Sequence, residues 1–268
     1  MTGIFISLAI FFIMLCVYIY HIIFKEEPHE KITKTAPSVM FFVTAVVSVI
    51  LTGNYTTTAL FLCAGLFLSI FGDFFLIKKI KIKRSFIIGV AFFFTAQICY
   101  IISFSILVPI TWFDIFLFIG LEGSALLVYK LMRFDAKNLK IPLFLYSCAL
   151  SFMAVKAVSL VFARPFGIYH GITVAMGGLL FLFSDCVLSH SILTGGRTLR
   201  ARLINLVTYY FGQIMLAFSI YLVFMNYWFP YLKIICKEPY YKYVDNNHCI
   251  CKVDWKSKFH SYMANRIK

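Results

Sequence analysis

Two aspartates stand in stretches of sequence with almost no other reason to hold a charge: Asp73 in AGLFLSIFGDFFLI (residues 64–77) and Asp185 in AMGGLLFLFSDCVL (residues 175–188). Each lies late in about twenty mostly apolar residues, the length that crosses the hydrocarbon core of a bilayer. A charged side chain at that depth costs about 2.5–3.5 kcal/mol on insertion scales, so two of them need a reason. A small residue precedes each (Gly72 and Ser184) and bulky apolar residues follow; small residues let helices approach closely. Two carboxylates brought together this way supply a general acid and a general base. They equally suit a proton relay or a cation site. Polar glue between helices is the plainer reading, but Asn or Ser would serve as glue at lower desolvation cost.

Other polar side chains lie in the same kind of surroundings. Gln97 and Tyr100 are three apart, and Tyr209 and Gln213 four apart with Tyr210 beside them, so each set shares a helical face. Together they predict a polar interior. Glu122 and Lys156 are the remaining charges inside apolar runs and are expected to pair, although Glu122 falls near mid-depth and Lys156 nearer the outer face. His170 and His190 sit at run ends and read as interfacial, and the sequon at Asn54 is too close to the membrane for modification to be expected. Cys16, Cys63, Cys99, Cys148 and Cys186 lie in apolar runs, where Cys behaves as a small buried hydrophobe. Cys236, Cys249, Cys251 and His248 share a polar tail, but Cys-Ile-Cys is poor zinc spacing and no second close ligand pair accompanies it. One disulfide there is open if the tail is lumenal. No Gly-rich phosphate loop, Gly-x-Ser-x-Gly elbow or His-Glu-x-x-His pair occurs.

The elements that must position these residues follow from composition. Of 268 residues, 62% are hydrophobic and 13% charged, against about half and a quarter in soluble domains. The expected fold is therefore all-α, a polytopic membrane bundle of eight transmembrane helices. Apolar runs occur at about 3–23, 37–52, 58–77, 86–108, 112–131, 141–162, 170–192 and 204–228. The first lacks a basic leader and a small-residue cleavage site, so an uncleaved span is expected. Only GNYTT separates runs two and three, a tight hairpin. Residues 1–228 form the spanning domain, and 229–268 a basic, Tyr-rich tail expected to lie at the interface. The formal charge is +14, but the basic residues fall in short gaps between runs, which argues against a nucleic-acid partner. The loops after runs 1, 3, 5 and 7 hold 3, 5, 4 and 3 Lys/Arg, while those after runs 2, 4 and 6 hold Arg164 alone. That bias places the odd loops in the cytosol and both termini outside.

The chain resembles the YhhN-type lysoplasmalogenases, eight-span membrane hydrolases. The likeness is carried by FGDFFL (71–76), GVAFFFTAQICYIISF (89–104), IPLFLYSCALSFMAVKA (141–157), GGLLFLFSDCVL (177–188) and TYYFGQIMLAFS (208–219), in the same order and spacing. Lys34, three residues before Pro37, also fits the family's second helix, and the basic residue at Lys156 is familiar in animal members. At Gln97 the chain departs, since the family usually has His there.

The resemblance implies cleavage of the vinyl ether of a lysoplasmalogen into a fatty aldehyde and a glycerophospho-base, with membrane lipids as partners, no cofactor or metal, and the endoplasmic reticulum as the location. A homodimer is left open. Vinyl ethers are labile to acid, so the difficult step is protonation of carbon to an oxocarbenium-like cation that water captures. Glycosidases meet a related cation with two carboxylates, one kept protonated and one ionised. Asp73 and Asp185 fit those roles, in an order the sequence leaves open. Gln97, Tyr100, Tyr210 and Gln213 would hold water or the glycerol oxygens, and Lys83 and Arg84 the phosphate. A proton- or cation-coupled transporter and a non-catalytic lipid-binding protein are the competing classes; discontinuous helices and inverted repeats, marks of transport, are not evident.

Overall fold

A run of about twenty apolar residues must bond its own backbone groups once water is excluded, and a helix does so within one segment. The computed structural model describes residues 2–24, 30–53, 55–76, 85–131, 140–164, 167–194 and 198–235. These form eight helices: α1 (Thr2–Phe24), α2 (Glu30–Thr52), α3 (Thr57–Phe75), α4 (Ser85–Leu107), α5 (Trp112–Leu131), α6 (Lys140–Ala163), α7 (Ile168–Leu193) and α8 (Leu199–Ile235). All eight contain a segment long and apolar enough to cross a membrane, as the sequence predicts. The bundle falls within one unit, Met1–Pro230.

The ends differ from the apolar runs where polar residues continue a helix. α2 begins at Glu30 rather than near 37 and carries Pro37 inside it. α8 starts at Leu199, before its run, and continues to Ile235. Hydropathy marks where a helix meets lipid, whereas backbone hydrogen bonding decides where it stops. Lys83, Arg84, the Asn54 sequon and the cysteines and His248 of the tail lie outside the described residues.

Successive helices α1–α2, α2–α3, α3–α4 and α6–α7 pack side by side, α4 packs against α6, and α5 packs on the outer side of α6. Close approach is built with glycine. A Cβ on Gly177 would come within 3.0 Å of the Gly212 carbonyl oxygen, and one on Gly212 within 2.9 Å of that of Gly177, so α7 and α8 touch backbone to backbone. Gly72 makes room between α3 and α4 in another way: its Cβ would lie 2.7 Å from the Phe93 ring, which packs into the space. Exposed apolar side chains such as Phe5, Ile13, Phe116 and Phe183 cover the outside, a surface suited to lipid.

The expected Glu122–Lys156 pair does not form. Lys156, fully buried, meets Asp114 at 3.1 Å and donates to the carbonyls of Val108 (2.8 Å) and Pro109 (3.2 Å). Asp114 also accepts from Thr111 N (2.8 Å) and from the Ser159 hydroxyl. Glu122 instead receives Ser151 at 2.8 Å and Ser147 at 3.1 Å. The depth difference visible in sequence decides this, because Lys156 reaches the carboxylate nearest its own level. His170, in the first turn of α7, is buried, and His190, near the other end of that helix, is exposed. The five described cysteines are free; Cys63, Cys99 and Cys148 are half-buried, and Cys16 and Cys186 are exposed.

Candidate active site

Asp73 lies two residues before the end of α3 and Asp185 eight before the end of α7. Both are buried, at 4% and 7% exposure, and both line one cavity of about 390 Å³. The cavity is walled by the start of α2 (Lys34), the end of α3 (Leu76), the start of α4 (Phe86, Val90), the start of α6 (Leu143, Tyr146), the end of α7 and the start of α8. Those are the ends joined by the odd-numbered loops, where the sequence concentrates Lys and Arg.

Asp73 is the more heavily partnered carboxylate. It accepts from the Ser38 hydroxyl at 2.7 Å and the Tyr209 hydroxyl at 2.7 Å, and the Lys34 ammonium lies 3.8 Å away. Lys34 and Ser38 are four apart on α2 and so share a face. Pro37 between them has no N–H to give to the carbonyl one turn back. Tyr210 completes the corner, donating to the Lys34 carbonyl at 2.7 Å and lying 3.2 Å from the Ser38 hydroxyl. Behind Asp73, Phe93 packs edge-on against Tyr209, ring centroids 5.9 Å apart; Gly72 leaves the room for it. The small residue before each Asp thus has a distinct task. Ser184 accepts from the Asn205 amide at 2.8 Å and donates to its backbone carbonyl at 3.0 Å, locking α7 to α8 beside Asp185.

Asp185 has a sparser setting: the Tyr146 hydroxyl of α6 donates to it. The Gln97 amide lies beside Tyr146, yet neither amide atom makes a hydrogen bond of ordinary geometry, although both are buried. One turn deeper, Tyr100 donates to Gln213 Oε1 at 2.9 Å, Gln213 Nε2 donates to Ser69 at 3.3 Å, and Ser69 lies 3.3 Å from the Tyr100 hydroxyl. This triangle closes on itself.

Of the candidates named from sequence, the structure brings Asp73, Asp185 and Tyr210 to the cavity wall. Gln97, Tyr100 and Gln213 are not among the lining residues; they are fully buried beneath it. Lys83 and Arg84 fall outside the described residues. Sequence reasoning passed over Ser38, Tyr146 and Arg202, all in contact with Asp73, Asp185 or the cavity. Two had a faint signal. Ser38 sits four residues from Lys34, and Tyr146 precedes Ala149, Leu150 and Met153 at the spacing of one buried helical face.

A model of the YhhN family matches residues 30–220. That stretch holds α2 to most of α8, and with them every described residue of the cavity except Tyr18. No curated protein and no solved structure matches the chain.

Proposed function

The chain belongs to the YhhN family, and from that premise and the cavity we propose that it is a lysoplasmalogenase-like hydrolase. It takes lysoplasmalogens from the surrounding bilayer, in the endoplasmic reticulum membrane, and releases a fatty aldehyde and a glycerophospho-base. The observation that carries the reading is the pair of unlike carboxylates on one cavity wall, Asp73 held by a cation and two hydroxyls and Asp185 by one phenol.

In this reading Asp185 delivers the proton and Asp73 remains the carboxylate. Asp185 protonates the ether's β-carbon as the C=C π pair forms the new C–H bond, leaving positive charge shared by the α-carbon and the ether oxygen. Asp73 faces that cation and takes a proton from the water whose oxygen bonds to the α-carbon. The hemiacetal then collapses. Its hydroxyl proton returns to Asp185, the C–O bond breaks, and Asp73 passes its proton to the departing glycerol oxygen. Both residues end as they began, with one water consumed.

The transport reading has less to rest on, because each described helix runs through its span without a break, whereas discontinuous helices are a mark of transport. The test is purified protein in vesicles with a lysoplasmalogen, with released aldehyde measured. Asp73→Asn and Asp185→Asn each keep side-chain shape and should cut the rate by about 10²–10⁴-fold, the usual worth of acid–base catalysis. Retention of more than about a tenth of the rate in both variants would refute it.

A further inference from the structure

Gln97, on α4, is fully buried, and neither end of its amide has a hydrogen-bond partner of ordinary geometry. Buried polar side chains in folded proteins are nearly all paired, so an amide left this way asks for a role. The register of α4 against α6 says what it meets. Both helices start at the cavity, where Phe86 and Val90 of one and Leu143 and Tyr146 of the other line the wall. Farther along, the Lys156 ammonium of α6 meets the Val108 carbonyl, one residue beyond α4, at 2.8 Å. Val108 lies eleven residues past Gln97 and Lys156 ten past Tyr146. At about 1.5 Å per residue, Gln97 and Tyr146 therefore stand at nearly the same depth. The two side chains are neighbours there, and the Tyr146 hydroxyl donates to Asp185 Oδ2.

We propose that Gln97 is a positioning residue: its Nε2 donates to the Tyr146 phenol oxygen and so fixes the phenol as a donor to Asp185. This rests on the hydrolase reading, in which Asp185 is the acid, and adds how its proton is placed. A phenol both donates and accepts. Left to itself, it can accept the proton of a protonated Asp185, and the acid then serves its neighbour rather than the ether. With its in-plane lone pair taken by Gln97, the phenol gives its own proton to Oδ2. The acid proton then sits on Oδ1, the oxygen left to serve the substrate. No proton passes along this chain of bonds; it only orients. Once Asp185 has become a carboxylate, the same phenol proton steadies the charge.

The test is kinetic and spectroscopic, on the full chain in vesicles. Gln97→Met keeps the length of the side chain and loses the amide. It should lower kcat on a lysoplasmalogen by about three- to tenfold, the worth of one neutral hydrogen bond, with KM within about twofold. Gln97→His keeps a donor and should lose less. In a Tyr146→Phe background, Gln97→Met should cost less than about 1.5-fold more, because the hydroxyl through which it acts is gone. The C–O stretch of Tyr146, isolated in the infrared by subtracting the spectrum of Tyr146→Phe, should shift in Gln97→Met, since a phenol that donates and accepts absorbs apart from one that only donates. A kcat in Gln97→Met within about twofold of wild type overturns the proposal. So does the same loss with and without the Tyr146 hydroxyl, or an unmoved band. If wild type releases no aldehyde, the hydrolase reading fails, and the infrared band still decides the Gln97–Tyr146 bond by itself.

Discussion

Removing one oxygen from Tyr146 tests how far Asp185 depends on the phenol that donates to it. In Tyr146→Phe the ring keeps its place in α6 while the carboxyl loses the phenol. A hydrogen bond to a charged group is worth about 1.5–3 kcal/mol, or about 10–150-fold in rate. Asp185 borders a cavity rather than packed side chains, so water can replace part of the loss, and the lower end, about 10–30-fold in kcat, is expected. Asp185→Asn alone should cost about 10²–10⁴-fold. If Tyr146 acts through Asp185, adding Tyr146→Phe to Asp185→Asn should cost less than about threefold more, the non-additivity of residues that work as a unit. The assay is aldehyde release from a lysoplasmalogen in vesicles, with thermal unfolding in detergent as the folding control. Two results would refute the reasoning: Tyr146→Phe within about twofold of wild type, or full multiplication of the two effects in the double variant.

Lys156→Met strands the buried Asp114 without its cation, and should destabilise by about 3–5 kcal/mol, with Asp114→Asn recovering much of it; equal melting temperatures for single and double variants would exclude this. Gly177→Val pushes a side chain into the Gly212 carbonyl and should cost about 1–3 kcal/mol, whereas Gly120→Ala, which meets nothing within 4 Å, should cost far less; thermal scans that rank them the other way would contradict the α7–α8 contact. Gln97→His should change the rate by less than about tenfold, under 1.4 kcal/mol of barrier, because hydrogen bonding is all an amide offers. A rise of several orders of magnitude would mean that a titrating group is needed beneath the cavity.

The sequence by itself determined the eight spans and the two aspartates. Both follow from one physical fact, the poor solvation of polar groups in hydrocarbon: it demands contiguous apolar lengths and makes each intramembrane charge conspicuous. It also determined which end of the bundle carries positive charge. Only the tertiary structure decided which way each helix turns. A span that is apolar on every side does not announce its inner face, so nothing in the run around Tyr146 says that its hydroxyl meets Asp185 from another helix. The same holds for Ser38 and Lys34 at Asp73, contributed from α2. Tyr100 and Gln213 show the converse: their types and spacing pointed to substrate, but packing turned them toward each other and Ser69. Buried polar groups are satisfied by whichever partner the fold brings within about 3 Å, and for residues more than a hundred positions apart that partner is chosen by helix packing.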